Sequence, residues 1–378
     1  MFETLIRFIR DRYRTDDFVP LHAPVFAGNE KRYVCDTVDS TFVSSVGAFV
    51  DRFEADMATY TGSPRAVATV NGTAALHVAL KLAGVAPGDL VVTQPLTFVA
   101  TCNAIAYCQA EPVFVDVDRH TMGLSPRALE TWLTDNAIVE GSICLTRSDR
   151  RPVRACLPMH TFGMPADLHG LLDVCSRWKL ALVEDAAESL GSLYHGRHTG
   201  TFGLLGTLSF NGNKIITTGG GGMVLTSEAL GQRAKHITTT AKRPHPYEYI
   251  HDEVGFNYRL PNINAALGCA QLEQLEGFVL NKRELAAAYA AHLAGSELQF
   301  VTEPPGCRSN YWLNSVICND RAHRDALLKA TNDQGVMTRP IWALMTHLQP
   351  FKACRTGSLE NALWLEDRVV NLPSSITL

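Results

Sequence analysis

Between about residues 65 and 226, short apolar segments alternate with longer amphipathic segments, and this alternation constrains the fold more than any other feature. Short apolar runs rich in β-branched residues are typical of strands, and the segments between them have the length and spacing of helices. The pattern predicts an α/β fold with a mostly parallel central sheet and helices on both faces. The predicted strands are Ala66–Val70, Leu90–Thr93, Pro112–Val115, Arg154–Met159, Leu180–Glu184, Leu205–Phe210 and Met223–Leu225.

The sequence changes character after about residue 240, where a polar, aromatic and proline-bearing stretch begins. A long helix is predicted over Asn264–Ala291, followed by a smaller α+β unit with a strand at Trp312–Cys318 and a helix at Arg321–Thr331. A chain of 378 residues is long enough for about two domains. We therefore expect N-terminal helices and a large domain over residues 1–258, and a small C-terminal domain over residues 259–378.

Composition and charge exclude several classes of function. The net charge is −4 and the pI about 6.4, without a block of lysine and arginine, so neither nucleic acid nor a membrane is expected as a partner. The ten cysteines are scattered without a C-x-x-C pair, which predicts reduced thiols in a cytoplasmic protein and no metal site. The segment MFETLIRFIRDRY is predicted to be an amphipathic helix and not a signal peptide.

Polar or aromatic residues stand at the end of several predicted strands. In parallel sheets, ligands bind beyond the carboxyl ends of the strands, where such residues meet. The sequence therefore predicts one shared site at this edge of the sheet. The residues concerned are Asn71–Thr73, Thr97-Phe98, His160, Asp185 and Lys214.

The segment LGTLSFNGNKIITTGGGGMVL, residues 205–225, contains a single lysine, Lys214, in a nearly uncharged setting. An amine on a rigid support suits Schiff-base chemistry with an aldehyde or ketone. The glycine run Gly219–Gly222 allows close approach of the backbone to another group. Taken alone, however, the segment is equally typical of a glycine hairpin with a solvated lysine.

Two other positions have a similar double interpretation. Asp185 is either a helix cap or the partner of a cationic group. Asn71–Thr73 is either an ordinary turn or an anion seat at a helix N-terminus, to which Ser209 would add a hydroxyl group. Phe98, taken alone, is typical of the core. Together these residues fit pyridoxal phosphate, which needs a lysine, a carboxylate for its ring nitrogen, a phosphate cup and a flat group against its ring.

The chain resembles the DegT/DnrJ/StrS-type sugar aminotransferases, a family of fold-type I enzymes, through motifs that follow in order along nearly its whole length. Its N-terminal block and the segment RPIWALMTHLQPF resemble the branch that serves legionaminic acid and bacillosamine-type sugars. The matching motifs are NGTAALHVAL, PLTFVATCNAI, PVFVDVD, PMHTFG, VEDAAESLG, GTLSFNGNKIITTGGGGM, GFNYRLPNINAALG and NLPSS.

The resemblance implies catalytic roles for Lys214 and Asp185. Lys214 would form the Schiff base with the cofactor and shuttle the proton between substrate and cofactor. Asp185 would keep the pyridine nitrogen protonated, so that the ring accepts electrons. Glu188 stands where many relatives have glutamine, near the cofactor's 3′ oxygen, and a carboxylate there must hold or share a proton.

The resemblance also implies the other cofactor contacts. Gly72, Thr73 and Ser209 would hold the phosphate, and Phe98 would cover the ring. Asn257, in the motif GFNYRL, matches an asparagine that reaches the phosphate of the neighbouring subunit's cofactor. We therefore expect a homodimer with sites shared between its subunits.

The substrate expected from the resemblance is a UDP-linked 2-acetamido-2,6-dideoxy-4-keto sugar, which would be aminated by glutamate and preferred over GDP sugars. The alternative is GDP-4-keto-6-deoxymannose, as in perosamine synthesis. Few charges are expected to meet the nucleotide diphosphate, Arg259 and Arg339 among them, although Arg259 could equally form a structural salt bridge. Ser44 and Ser45 are expected to donate hydrogen bonds to the substrate. His160 either contacts the substrate or is a satisfied buried histidine.

Two other classes of function are less consistent with the sequence. A nicotinamide-dependent oxidoreductase would need a G-x-G-x-x-G motif after the first strand, and none is found there. A non-catalytic cofactor-binding regulator is the remote alternative, and the presence of both Lys214 and Asp185 argues against it.

Overall fold

The computed structural model describes residues 2–377, so Met1 and Leu378, the outermost residues of the two predicted domains, lie outside the described residues. The helices are α1 (Phe2–Tyr13), α2 (Glu30–Asp39), α3 (Ala48–Thr61), α4 (Gly72–Leu82), α5 (Val99–Tyr107), α6 (Pro126–Asn136), α7 (Leu168–Trp178), α8 (Glu228–Thr238), α9 (Asn262–Leu272), α10 (Leu275–Leu293), α11 (Arg321–Asp333) and α12 (Glu360–Glu366). Across this described range, none of the helices is long and apolar enough to span a bilayer.

The strands are short, and most of them belong to two separate sheets. They are β1 (Arg65–Thr69), β2 (Leu90–Thr93), β3 (Glu111–Phe114), β4 (Ala137–Glu140), β5 (Ile143–Thr146), β6 (Val153–Leu157), β7 (Ala181–Asp185), β8 (Leu193–Tyr194), β9 (Arg197–His198), β10 (Leu205–Ser209), β11 (Gly222–Thr226), β12 (Lys242–Arg243), β13 (Ile250–His251), β14 (Gln299–Phe300), β15 (Cys307–Arg308), β16 (Asn314–Ile317), β17 (Arg339–Pro340) and β18 (Val369–Leu372).

The large sheet has seven strands in the order β1-β11-β10-β7-β6-β2-β3. From β10 to β3 the neighbouring strands are parallel, and β11 runs antiparallel to both β1 and β10. Alternate residues of β1 pack in opposite layers, because Val67 belongs to a core cluster with Val78 of α4, whereas Ala68 belongs to one with Phe53 of α3. The predicted α/β fold with a mostly parallel sheet is confirmed.

Side-chain caps start several of the helices that follow strands. Asn71 accepts a hydrogen bond from the Ala74 N–H at 2.8 Å and begins α4 directly after β1. Ser125 caps α6 in the same way, with Pro126 at the first helical position, as its Ser-Pro sequence predicts. These caps fix the points at which the chain leaves the sheet, and therefore the position of the residues at the strand ends.

The long helix predicted over Asn264–Ala291 is wrong, because α9 and α10 are separated by a break at Glu273 and Gln274. The Glu273 carboxylate accepts hydrogen bonds from Tyr33 and Arg52, at 2.7 Å each, and Gln274 donates to Glu30. These contacts with α2 and α3 hold the break. Apolar spacing within the segment carries no sign of them, since tertiary contacts override local helix propensity.

A second, antiparallel sheet has the strand order β14-β16-β18-β17 and lies in the C-terminal part of the chain. The N-terminal helix α1 packs with this part, because its residues Leu5 and Ile9 share a core cluster with Leu285 of α10 and Val316 of β16. The amphipathic N-terminal segment thus packs on its own fold. The division of the chain into residues 1–258 and 259–378 stays a prediction, and by its contacts α1 lies with the second sheet.

Candidate active site

A cavity of about 330 Å³ opens where β1, β7 and β10 end. The topology therefore brings most of the strand-end residues of the sequence into one site, as expected for a parallel sheet. The predicted residues that line the cavity are Gly72, Thr73, Phe98, Asp185, Glu188, Ser209 and Lys214.

Lys214 lies in the turn between β10 and β11, and its backbone N–H donates to the Asn211 carbonyl at 3.0 Å. Its Nζ atom is 3.2 Å from Oε1 of Glu188 and 4.0 Å from the ring centroid of Trp312. Only 12% of the Lys214 side chain is exposed. The amine is thus held at the cavity wall by one carboxylate and one indole face.

Glu188 is a buried acid whose carboxyl group is partly protonated at neutral pH. Burial raises the pKa of Glu188 from its usual 4.5 to about 7, although the Lys214 ammonium and the Phe162 N–H group act in the opposite direction. The Phe162 N–H donates to Oε2 of Glu188 at 3.0 Å. Phe162 has a left-handed backbone, with φ of 55° and ψ of 20°, which is strained for a residue with a bulky side chain. In this conformation the Phe162 N–H group points at the Glu188 carboxylate.

Asp185 is a second buried acid at the cavity. It ends β7 and is held by the Thr101 hydroxyl group, which donates to Oδ2 at 2.7 Å, and by the Ala187 N–H, which donates to Oδ1 at 3.2 Å. Burial raises the pKa of Asp185 above its usual value. Across residues 2–377, no basic side chain forms an ion pair with Asp185. A buried carboxylate that faces the cavity with no ion-pair partner of its own among the described residues fits the protonated ring nitrogen of pyridoxal phosphate.

The opposite end of the cavity is shaped for an anion. A Cβ atom on Gly72 would lie 2.9 Å from Cβ of Ser209, so only glycine lets α4 begin this close to β10. A Cβ atom on Gly222 would lie 2.4 Å from the Asn71 carbonyl oxygen, so the last glycine of the run serves the same close approach. The first N–H groups of α4 and the Ser209 hydroxyl group meet here, an arrangement suited to a phosphate.

His160 does not line the cavity, so the expectation that it contacts the substrate is not supported by its surroundings. It is fully buried, and Nδ1 accepts a hydrogen bond from the Ala166 N–H at 3.1 Å. Because Nδ1 accepts, Nε2 carries the proton and donates to Oε2 of Glu184 at 3.1 Å. Both ring nitrogens are therefore engaged in the core behind the site.

Asn257 is exposed and lies outside the Lys214 cavity of its own chain. Its Oδ1 accepts a hydrogen bond from Nε of Arg259 at 3.1 Å, and Arg259 pairs with Thr69 at the end of β1. Arg339 is exposed at the edge strand β17 and does not line the Lys214 cavity.

A larger cavity of about 760 Å³ lies beside α3 and the β12–β13 hairpin, and Arg259 is part of its wall. The expectation that only a few charges meet the diphosphate stays a prediction, and this cavity gathers basic residues from α8, the β12–β13 hairpin and the Arg259 segment. Ser45 also lines this cavity, whereas Ser44 is exposed and its carbonyl accepts from the Asn262 N–H. The basic and histidine side chains of the wall are Lys235, Lys242, Arg243, His245 and Arg259.

Sequence reasoning missed the aromatic wall of the Lys214 cavity. Trp312 and Trp342 both line it, and Phe162 packs against Trp342 with ring centroids 4.8 Å apart. Phe98 is half-exposed at the mouth, 6.4 Å from Trp342, and so is not a core residue. Both tryptophans come from the C-terminal part of the chain, where no sequence motif linked them to the lysine.

The cavity thus has the features of a pyridoxal-phosphate site. The comparisons with known proteins agree, since residues 25–378 match the model of the DegT/DnrJ/EryC1/StrS aminotransferase family. The chain belongs to this family and is a pyridoxal-phosphate-dependent sugar aminotransferase. Membership of this class supports neither of the two alternatives, the nicotinamide-dependent oxidoreductase and the non-catalytic regulator.

Three of the proteins that are similar to this chain illustrate the comparison. A GDP-perosamine synthase of Escherichia coli O157:H7 is 36% identical, covering 94% of this chain and 93% of the relative. A GDP-perosamine synthase of Caulobacter vibrioides is 35% identical, with coverage of 94% and 93%. The crystal structure of the aminotransferase TlmJ from Streptoalloteichus hindustanus superposes with a TM-score of 0.84 at 29% identity, covering 94% and 93% of the two chains.

The expectation that the substrate is a UDP-linked 2-acetamido sugar is therefore wrong. Three relatives at 34–36% identity over most of their length are GDP-perosamine synthases, and these favour the alternative of a GDP-linked keto sugar. Motifs shared across the family report the cofactor site, and the polar stretch around residues 240–262 does not identify a nucleotide by itself.

We predict that Glu188 makes the stability of the cofactor-free protein fall as the pH rises from about 5 to 7. In this range the unfolded carboxyl group has lost its proton and the folded one still holds it, so the folded state binds more protons. Relative to Glu188→Gln, which keeps an acceptor for the Phe162 N–H, the free energy of unfolding of the wild type should fall by ~2 kcal/mol between pH 5 and pH 7. Urea unfolding of both proteins at several pH values measures this, and parallel curves would contradict the prediction.

Proposed function

We propose that this enzyme transfers an amino group from glutamate to the C4 keto carbon of GDP-4-keto-6-deoxymannose. The amino group replaces the carbonyl oxygen of the sugar, and glutamate leaves as 2-oxoglutarate. The observation that carries the proposal is the similarity, over almost the entire chain, to GDP-perosamine synthases. The site residues support it, because a lysine, two buried acids and an anion seat meet in one cavity.

Pyridoxal phosphate, when bound, supplies an aldehyde for exchange of the amino group and an aromatic ring that accepts electrons. Lys214 is placed to carry a proton at Nζ, with Glu188 at 3.2 Å as its neighbour. Asp185, oriented by Thr101 and Ala187, would hold a positively charged ring nitrogen in a setting from which water is excluded. Glu188, with a pKa near 7, can share its proton with Lys214 or with a nearby oxygen atom.

The remaining cavity residues bind and orient. The N–H groups at the start of α4 and the hydroxyl groups of Thr73 and Ser209 would hold the phosphate, and the close approach of Gly72 to Ser209 brings them together. Phe98 would cover one face of the ring from the cavity mouth. These contacts restrict the cofactor to one orientation relative to Lys214.

The basic cavity supplies what a nucleotide diphosphate needs. Lys242 and Arg243 lie on the β12–β13 hairpin, and Arg259 reaches the same cavity from the segment that pairs with the end of β1. Three cations around one space of about 760 Å³ offer charge-assisted hydrogen bonds to two phosphate groups. We assign the diphosphate to this cavity.

We predict higher kcat/KM with GDP-4-keto-6-deoxymannose than with UDP-2-acetamido-4-keto-2,6-dideoxyhexose, by at least about thirtyfold, because a polar site that fits one sugar nucleotide leaves donors unpaired with the other. Both keto sugars are made in situ by their dehydratases and assayed side by side with glutamate. Equal values, or a preference for the UDP sugar, would refute the substrate assignment and leave the cofactor site unaffected. As a check on the cavity, Arg243→Gln should raise KM for the sugar nucleotide, whereas Lys329→Gln, which removes a charge that is 77% exposed on α11, should not.

We further propose a homodimer in which Asn257 serves the neighbouring subunit's site. Asn257 is exposed and lies outside the Lys214 cavity of its own chain. Large apolar side chains are also exposed on the nearby hairpin and loop, which suits burial against a second copy. These side chains are Phe42, Val43, Val46, Tyr247, Tyr249 and Val254.

We predict that mixing two inactive variants, Lys214→Ala and Asn257→Ala, restores activity. If the site is shared, one site of each hybrid dimer contains both intact residues, so free exchange should give about a quarter of wild-type activity. Mixing Lys214→Ala with Asp185→Asn is the control, because these residues lie in one chain's cavity and no hybrid site has both. Hybrids shown to form without restored activity would contradict the shared site.

A further inference from the structure

The amine of Lys214 has two close neighbours, a carboxylate and an indole ring, which form two walls around it. Nζ is 3.2 Å from the Glu188 carboxylate and 4.0 Å from the centroid of the Trp312 ring. An ammonium group over an indole face is attracted by the ring quadrupole, more strongly where water is excluded. Trp312 is only 4% exposed, so the contact is largely dry.

The indole ring cannot turn away from the lysine, because hydrogen bonds fix it. Its Nε1–H donates to the carbonyl of Asn213, the residue before Lys214, at 2.7 Å. The Trp312 backbone N–H donates to Oδ1 of Asn310 at 2.8 Å, and the Trp312 carbonyl accepts from Lys282 at 3.1 Å. The ring is therefore tied directly to the turn that carries the reacting amine.

The side chain of Asn310 connects Glu188 with Trp312. Nδ2 of Asn310 donates to the Glu188 carbonyl at 2.9 Å, while Oδ1 accepts from the Trp312 N–H. Asn310 is fully buried, so these bonds do not exchange with water. One amide group thus links the backbones of Glu188 and Trp312, the two residues whose side chains contact the amine.

We propose that Trp312 is a positioning residue whose indole face, together with Glu188, holds the free amine of Lys214 whenever that amine is not bonded to the cofactor. The inference rests on the proposed role of Lys214. During transamination the lysine must leave the cofactor and return to it, and a fixed seat keeps the amine from drifting into solvent between the two events. Trp312 acts through Lys214 and needs no contact with the substrate.

The test measures Lys214 without the cofactor. Cofactor-free protein is treated with a limiting amount of acetic anhydride at pH 7, and acetylation of Lys214 is followed by peptide mass spectrometry. Loss of the indole wall in Trp312→Leu should raise the Lys214 labelling rate by roughly fivefold. Trp312→Phe, which keeps an aromatic face, should stay within about twofold of wild type.

Trp342→Leu is the matched control, because Trp342 lines the same cavity and has no contact with the Lys214 amine among the described cation–π contacts. Its Lys214 labelling should equal that of wild type, and labelling of the buried Lys282 should not change in any variant. An unchanged rate in Trp312→Leu, or an equal rise in Trp342→Leu, would overturn the proposal. If Trp312→Leu does not fold, Trp312→Met takes its place, and the same roughly fivefold rise in the Lys214 labelling rate is expected. Because the assay contains neither cofactor nor sugar, its failure is distinct from a failure of the substrate assay.

Discussion

The site depends on an imbalance of buried charge. Asp185 and Glu188 are both buried at one cavity, and Lys214 is the cation that the described residues place within ion-pair distance of Glu188. Two carboxyl groups in a poorly solvated space are costly, and burial accordingly raises the pKa of both. A cofactor with a protonated ring nitrogen and an aldehyde would relieve this cost, since it would give Asp185 a cation and Lys214 a bonding partner. The cavity is in this sense built around a group that the chain does not supply.

The surrounding fold holds this imbalance in place. Asp185 is fixed by Thr101 from α5, and Glu188 by the strained backbone of Phe162, so neither acid can rotate towards solvent. Strain of this kind is retained where the surrounding packing over-determines it, and Phe162 is itself 1% exposed against two tryptophans. The second sheet contributes through Asn310 and Trp312, which precede β16. Residues from both halves of the chain thus set the position of one amine.

Much of this could be predicted from the sequence. The alternation of apolar strands and helices gave the parallel sheet, and the polar residues at strand ends gave Asp185, Lys214 and the Gly72 turn, because parallel topology forces these ends together. His160 also follows a predicted strand, but its side chain faces inward and contacts Glu184. A position at the end of a strand does not determine the direction of the side chain. Trp312 and Trp342 could not be predicted, because they reach the cavity from about a hundred residues away and only tertiary packing brings them there.

The substrate assignment failed for a different reason. The motifs that identify the family surround the cofactor site, whereas the basic cavity proposed for the diphosphate is lined by Lys235, Lys242, Arg243 and Arg259. Lys242 and Arg243 are adjacent in sequence and were a visible signal, but their meeting with Lys235 and Arg259 depends on the hairpin and on the pairing of Arg259 with β1. A linear motif does not encode this meeting of side chains, and so it does not identify the nucleotide.

The central claim is that Lys214 is the residue to which the cofactor is attached. Borohydride reduction of the enzyme loaded with pyridoxal phosphate, followed by proteolysis and mass spectrometry, locates the attached group directly. We predict the modification on Lys214, in the peptide that follows SFNGN, and its loss in Lys214→Ala. Attachment to Lys235, Lys242 or Lys282 in the wild-type enzyme would contradict the account.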